Sequence, residues 1–400
     1  MTRGNIIIIA LFASAVALGC ATGSPAGKAQ AAPSQAPSPR QAPSPQSPPA
    51  IEKPAAEMAF AQGEVSVRRG GNLLPGLAAG AAILPFDLIA TGNSSRAEIV
   101  LNPASADETR LNLGPGTALY FDLSAAGEKR RGRLRLLRGS MDLDALRGGR
   151  TELILDAGAA KVRAQGTSFF AESAADGGLL VSCDEGQVSC EGSERLVARP
   201  GTAVEAAADG KLSPKIIPAE RLAAYRSSWT VAKEAALGKS GAPTALALFS
   251  ALEAGRPAFE SAAEGLEAQG PVLASWERRL EAGKPFVSDE ALAERKAVAA
   301  ALLAGLAALP SFEQPFCRLA GLVEGRAAGR ALGGSSAEKG RLGPLFESFA
   351  QTREQDEARL GKLRRALFLF SRLNAGASPV ELFGERARAL QPGESLLELE

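Results

Sequence analysis

The feature that most constrains the fold is a change of period. From Glu57 to Ile217 apolar residues recur at every second position in short runs broken by glycine, and after Ile217 they recur every third or fourth. Val65 and Val67 alternate in GEVSVRRGG, Ala97, Ile99 and Leu101 in RAEIVLN, and Leu111 and Leu113 in TRLNLGPG. Leu134 with Leu136, Met141 with Leu143, Leu153 with Leu155, and Val162 with Ala164 continue the pattern. Successive side chains of a strand point to opposite faces, so each run has one face to bury and one to spare. Many short strands at near-regular spacing predict an all-β sandwich, barrel or solenoid, and periodicity alone does not choose among them.

The second half reads as helices. Pro218 opens it, and Leu222, Tyr225, Trp229, Ala232 and Ala236 share one face before Gly238, where the first helix is expected to stop. Further stops are expected at Gly255-Arg256-Pro257, Gly270-Pro271 and Gly283. A long helix is expected from Ser288, with Leu292, Ala299, Leu302, Leu306 and Leu309 as its stripe and Pro310 as its end. Ser311 with Gln314, and Ser378 with Glu381, have capping-box spacing. Leu360, Leu363, Leu367 and Phe370 mark another helix within residues 345–373. No repeat of tetratricopeptide length aligns, so an irregular bundle is expected. With 400 residues, 46% of them apolar, the chain is long enough for two cores. It reads as α+β in separate domains, all-β over 57–217 and all-α over 218–400.

The amino terminus reads as an address. Arg3 is the one charge before the apolar run Ile6–Leu18, and Gly19-Cys20 follows directly. This is the layout of a secretory signal and short for a membrane span. Ala17-Leu18-Gly19-Cys20 resembles the bacterial lipobox, with the leucine one place later than usual. That resemblance implies a signal peptide over 1–20, acylation of Cys20 and insertion of the lipid into a bilayer. Residues 21–56 include QAPSPRQAPSPQSPP and, up to Ala50, only Lys28 and Arg40 as charges. Such a segment cannot bury a core and favours extended conformation, so it is expected to act as a tether. The expected location is the cell envelope, anchored to a membrane and facing the periplasm or the cell surface.

Seven segments then come in a telling order: GEVSVRRGG, LPGLAAGAAILPFDLIATGNSSRAEIVL, TRLNLGPGTAL, LRLLRGSMDL, AKVRAQGTSFFAE, LLVSCDEGQVSC and LVARPGTAV. Together they resemble a FecR domain, the periplasmic module of iron-dicitrate type signalling proteins. Its central pieces match here as Asp87, Thr91 and Gly92 in a D-x-[IL]-x-T-G turn, Gly166, Thr167 and Phe169 in a small-Gly-Thr-x-Phe segment, and Glu185 and Gly186 in an E-G-x-V strand crossing. The resemblance implies a β-solenoid-like module that binds other proteins, has no known enzymatic activity, and uses these eight residues structurally. A regulator of that class begins with cytoplasmic anti-sigma helices and a transmembrane span. This chain opens on a lipoprotein-like signal, and no small secretin/TonB-interaction module is visible after the solenoid, so anti-sigma regulation is not expected.

The chemistry is bounded by one absence. The chain has no histidine, which removes imidazole acid-base catalysis, histidine triads and histidine-bearing metal sites. No catalytic, cofactor or metal site is expected. The 45 basic and 44 acidic residues nearly cancel, and apart from Lys129–Arg133 no basic run supports nucleic-acid binding. Asp184 and Glu185 are adjacent on an extended chain and point apart. Cys183 and Cys190 read as free, buried thiols, since a tight hairpin about Glu185-Gly186 would set them diagonally, while a solenoid corner would still allow a bridge. In VRAQGTSFFAE, Gly166 reads as a kink or bulge and Thr167 as bonding nearby backbone; one of Phe169 and Phe170 faces the core while the other offers a surface for a partner. The function expected is a lipid-anchored envelope protein that binds or scaffolds an envelope protein or polymer without catalysis. Two alternatives are a FecR-type transmembrane signalling regulator and a carboxylate-dependent glycan hydrolase, which would need two acids about 5–9.5 Å apart in the helical half.

Overall fold

A computed structural model describes residues 56–101, 109–123, 131–145, 152–287, 290–327 and 329–389. Cys20, the tether up to residue 55, Lys129, Arg130, Ser288 and Asp289 lie outside the described residues. The strands are β1 (Ala56–Gln62), β2 (Val65–Arg69), β3 (Asn72–Pro75), β4 (Ala82–Ile83), β5 (Leu88–Thr91), β6 (Arg96–Leu101), β7 (Thr109–Leu113), β8 (Ala118–Leu123) and β9 (Arg131–Ala145). There follow β10 (Glu152–Asp156), β11 (Lys161–Gln165), β12 (Ser168–Ser173), β13 (Leu179–Glu185), β14 (Val188–Glu191), β15 (Arg195–Ala198), β16 (Thr202–Ala206) and β17 (Leu212–Ile216). The helices are α1 (Leu222–Glu267), α2 (Gly270–Glu281), α3 (Leu292–Ala327), α4 (Ser336–Leu373) and α5 (Pro379–Ala389). An all-β module followed by an all-α module is what the change of period predicts. The two modules belong to one compact unit.

The β module is two sheets face to face, with the chain passing between them. One sheet runs β4-β1-β6-β7-β9-β12-β13-β16-β17 and the other β3-β2-β5-β8-β9-β10-β11-β14-β15. Beyond β9 the chain lays a hairpin in one sheet, turns a corner and lays the next hairpin in the other. Among the described residues every strand pairing is antiparallel except β9 with β10. The alternating residues meet between the sheets: Ile99, Leu111, Leu134, Met141, Leu155, Val162, Phe169 and Val188 belong to one buried cluster.

Strand β9 belongs to both sheets. Its first half pairs with β8 and β10, its second with β7 and β12. Opposite β8 the register slips, so that Ala118 faces Arg138 and Leu119 faces Leu136, leaving Leu137 as the extra residue of a bulge. Leu136 stays in the sandwich core while Leu137 turns outward into the helical core. Two residues on, Gly139 takes φ +82° and the strand changes sheet.

The helical module grips both outer faces. Phe86, Leu88, Ala118, Tyr120 and Leu137 of the second sheet share a buried cluster with Leu309, Phe312 and Leu319 of α3 and Leu363, Leu367 and Phe370 of α4. Within that layer the fully buried Glu313 accepts hydrogen bonds from Arg364 of α4 and from Arg135 of β9, the latter at 3.3 Å. The Arg364 guanidinium lies over the Tyr120 ring at 5.9 Å. On the first sheet, Leu180 and Ala203 are covered by Leu222 and Trp229 of α1, with Phe170 and Tyr225 beside them.

The helix ends depart from the expectation where packing overrides the local signal. Helix α1 is two helices joined across a kink at Ser240 (φ −133°, ψ 27°), two residues past the stop expected at Gly238, but its second part passes through Gly255-Arg256-Pro257. Gly255 serves close approach rather than termination, because a Cβ there would lie 2.5 Å from the Ser311 carbonyl oxygen of α3. Helix α3 runs through Pro310 and Pro315, since Leu309, Phe312, Phe316 and Leu319 are all buried by what surrounds it. Ser311 is therefore not a cap and donates to the Ala308 carbonyl at 2.9 Å. Gly270-Pro271 opens α2 as expected. The Ser378–Glu381 capping box forms, with Ser378 N donating to Glu381 Oε2 at 2.7 Å and Glu381 N donating to Ser378 Oγ at 3.3 Å. A further one, Ser335 with Glu338, begins α4.

Two expected outcomes follow. A Cβ at Gly139 would lie 2.5 Å from Thr117 Cα in a left-handed backbone, whereas Gly76 (φ +65°) has nothing within 4 Å. Gly139→Ala should lower stability by about 3 kcal/mol or more and Gly76→Ala by about 1 kcal/mol, read from urea unfolding midpoints. Glu313→Gln should cost about 3 kcal/mol in the same measurement, because it leaves two buried guanidinium groups without their anion.

Candidate functional site

The eight family-motif residues are corner pieces. Asp87 is fully buried before β5 and accepts from Arg69 Nε at 3.0 Å, Arg69 Nη2 at 2.7 Å and Leu84 N at 2.9 Å. Burial pushes its carboxyl above the usual value, and Arg69 and Leu84 oppose that. This network closes the turn that holds Phe86 at φ +69°, a conformation a bulky residue adopts only when its surroundings enforce it. Thr91 Oγ1 donates to the Gly114 carbonyl at 2.7 Å and accepts from Thr117 N at 2.9 Å. Thr117 Oγ1 repeats the arrangement with Ser140, donating at 2.9 Å and accepting at 3.0 Å. The hydroxyls thus link successive corners. Gly92 has an ordinary φ; its need is space, with Ser95 Oγ 3.1 Å from where a Cβ would be.

Gly166 (φ +58°) is the corner between β11 and β12, where the chain changes sheet, rather than a bulge within one strand. Gly186 (φ +83°) with the exposed Glu185 is the reverse corner from β13 to β14, and it stacks on Thr167, whose Cγ2 is 2.7 Å from where a Gly186 Cβ would be. Thr167 does not bond nearby backbone: its Oγ1 is buried without a partner. The hairpin about Glu185-Gly186 does not form either, because β13 pairs with β12 and β16 while β14 pairs with β11 and β15. Cys183 and Cys190 are free and buried in opposite sheets. Burial raises their thiols to about 11 and about 12, so both stay protonated at neutral pH.

Phe169 fills the core and Phe170 faces out, but the outward ring is not free for a partner. Helix α1 covers it, with the Arg226 guanidinium 4.8 Å above the ring. Arg226 Nε also donates to Ser182 Oγ at 2.7 Å, and its Nη2 donates to both Asp184 carboxylate oxygens at 2.7 and 2.6 Å.

Beside this contact opens a cleft of about 1000 Å³, walled by the outward face of β9 and β12, by α1 and by the second half of α3. Asp142 and Glu172 stand on the strand wall, Asp142 opposite Phe170 and Glu172 opposite Ser140 in the β9–β12 register. Burial raises both carboxyls. Arg226 opposes this at Asp142, and the Thr230 hydroxyl, donating at 2.7 Å, opposes it at Glu172. Arg318 of α3 donates to Ser173 Oγ at 3.1 Å and leaves its Nε without a partner. Burial lowers its guanidinium to about 10, so it remains charged at neutral pH. Sequence reasoning sought an acid pair in the helical half and missed this group. Asp142 and Glu172 alternate with core residues and read as an ordinary outer face, whereas Arg318 inside the apolar run FCRLAGL was a visible signal. Among the described residues no group of three or more cysteine, aspartate or glutamate side chains is placed to hold a metal ion.

Comparison with known proteins bears on the β module. Two crystal structures of a candidate anti-sigma factor from Parabacteroides distasonis ATCC 8503 are similar at 18% identity and TM-score 0.29, over 35% of this chain. The similar part takes in 64% and 63% of those chains, less than two thirds of their length. A likeness this distant carries nothing about activity. No curated protein matches the chain. Residues 87–189 match the family model described as FecR protein, from the buried Asp87 to the start of β14. The β module of this chain therefore carries a FecR domain.

Proposed function

We propose that the protein is a lipid-anchored component of the bacterial cell envelope, acylated at Cys20 and held off its membrane by residues 21–56. Its FecR domain acts as a non-catalytic binding and scaffold module for an envelope protein or polymer. One observation carries the binding reading: Asp142, Glu172 and Arg318 face a single cleft, and each is desolvated enough to shift its proton equilibrium in the direction that burial dictates. Desolvated charges weaken the fold unless something pairs with them, so their presence together favours a surface made for contact. The anchor is supported by the lipobox-like Ala17–Cys20 and by the proline-rich segment after it.

A signalling regulator of the FecR type is the second reading, and the family match favours it. Among the described residues no helix is long and apolar enough to cross a membrane. Crosslinking in intact cells separates the two: recovery of an envelope protein or polymer supports the scaffold, and recovery of a sigma factor overturns it. Turnover of envelope glycans by the purified protein would overturn the non-catalytic reading.

Cys20→Ala should abolish palmitate labelling and move the protein from the membrane pellet to the soluble fraction. An unchanged pellet would overturn the anchor. Asp142→Asn should raise stability at pH 7 by about 0.5 kcal/mol, modest because the group is partly solvated. The folded protein holds the Asp142 proton more tightly than the unfolded chain, so the ionised carboxyl weakens the fold as pH rises through its elevated value. The advantage of the variant should therefore disappear below the ordinary carboxylate range, which urea unfolding at a series of pH values will check.

A further inference from the structure

The cleft ends on a cation that forms no ion pair among the described residues; its nearest anion in effect, Asp176, is held by Lys233. Arg318 is 8% exposed, and among the described residues no aspartate or glutamate lies within ion-pair distance of it. Its neighbours around the cleft are already matched: Lys233 by Asp176 at 2.7 Å, Arg226 by Asp184 at 2.6 Å and Arg138 by Glu324 at 3.0 Å. On the strand wall the reverse holds. Among the described residues Asp142 makes no hydrogen bond or ion pair, Arg226 acting on it only at longer range, and Glu172 has the Thr230 hydroxyl. The site thus has a positive charge without an ion pair at one end and a negative charge without an ion pair at the other, each met only at longer range, by Asp176 and by Arg226.

We propose that this cleft binds a short peptide with free ends, its terminal carboxylate on Arg318 and its ammonium against Asp142 and Glu172. The spacing fits. Arg318 is fixed at Ser173, Asp142 is opposite Phe170, and the three steps of β12 between them span roughly 10 Å, the reach of an extended tripeptide. A guanidinium presents parallel donors to a carboxylate, which suits that terminus. A phosphate dianion would meet the same guanidinium but would also face Asp142 and Glu172 across the cleft, Glu234 there being paired with Arg330 at 3.9 Å, whereas a zwitterion brings no net charge. The volume of about 1000 Å³ is at the upper end of ligand pockets and leaves room for side chains.

The inference rests on the reading of the chain as a binding protein and makes no use of the anchor, so the Cys20→Ala result leaves it untouched. The test is native mass spectrometry of the full-length protein with three probes: a pool of tripeptides with free ends, the same pool amidated at the carboxyl end, and inorganic phosphate. Free-ended tripeptides should be retained, and amidation should weaken retention at least about tenfold, the effect of removing one hydrogen-bonded charge partner. Arg318→Lys, with unfolding midpoints as the control for folding, should lose most of the preference for the free carboxylate. Asp142→Asn keeps the test independent of any folding defect at Arg318 and should weaken free-ended peptides several-fold. Equal retention of the amidated pool, no retention of either pool, or tighter binding of phosphate than of peptide would each overturn the proposal, without touching the crosslinking test of the scaffold reading.

Discussion

The structure depends on the crossing of β9 from one sheet to the other. A strand that changes sheets must reverse which side chains face the core, and the single-residue bulge at Leu137 supplies the change of parity just before Gly139 turns the chain. Everything that joins the two modules on this side follows from that step. The first half of the strand delivers Arg135 to Glu313 and Leu137 to the helical core; the second half delivers Asp142 to the cleft. One strand therefore fixes the shared core, the buried charge cluster and one wall of the candidate site.

Ion pairing differs between the two contacts of the modules. Where α3 and α4 cover the second sheet, Glu313 is answered by two arginines, and Asp356 of α4 holds Arg256 of α1 in a bidentate pair at 2.9 and 3.1 Å. Pairing of the charges makes their burial tolerable, although Tyr120 Oη and the Nε atoms of Arg135 and Arg364 stay buried without a partner. Where α1 meets the first sheet, the pairs line a rim, and in the cleft beside them Arg318 and Asp142 form no ion pair among the described residues. The contrast lies within one compact unit, so it reflects position and not a general shortage of partners.

Much of the architecture was legible in the sequence because period is a property of the backbone. Alternation at Ile99, Leu111 and Leu155 marks a strand wherever it sits, and the family motifs at Asp87, Gly166 and Gly186 fall at turns because only a few residue types tolerate those corners. What was not legible depends on neighbours far away in the chain. Gly255, Pro257 and Pro310 carry the local signature of helix ends, yet α1 and α3 pass through them because the partner helix needs close approach at one and burial at the other. The candidate site was hidden for the same reason. Asp142, Glu172 and Arg318 lie in three separate segments, and although Arg318 stands out in an apolar run, nothing local brings it to the cleft that α1 closes over the sheet.

The helical module also sets a length. Beyond β9 each hairpin of the sandwich pairs chiefly with the hairpins before and after it, an arrangement that tolerates gaining or losing one unit with little effect elsewhere. Here α3 and α4 rest on β8 and β9, whereas the start of α1 rests on β13 and β16, and α1 packs along α3. The helices thus measure the distance from the crossing strand to the last hairpins. A chain with one hairpin more or fewer would pull α1 off α3 or slide Trp229 off Leu180, so the helical module counts the β units and ties an otherwise extensible solenoid to one length.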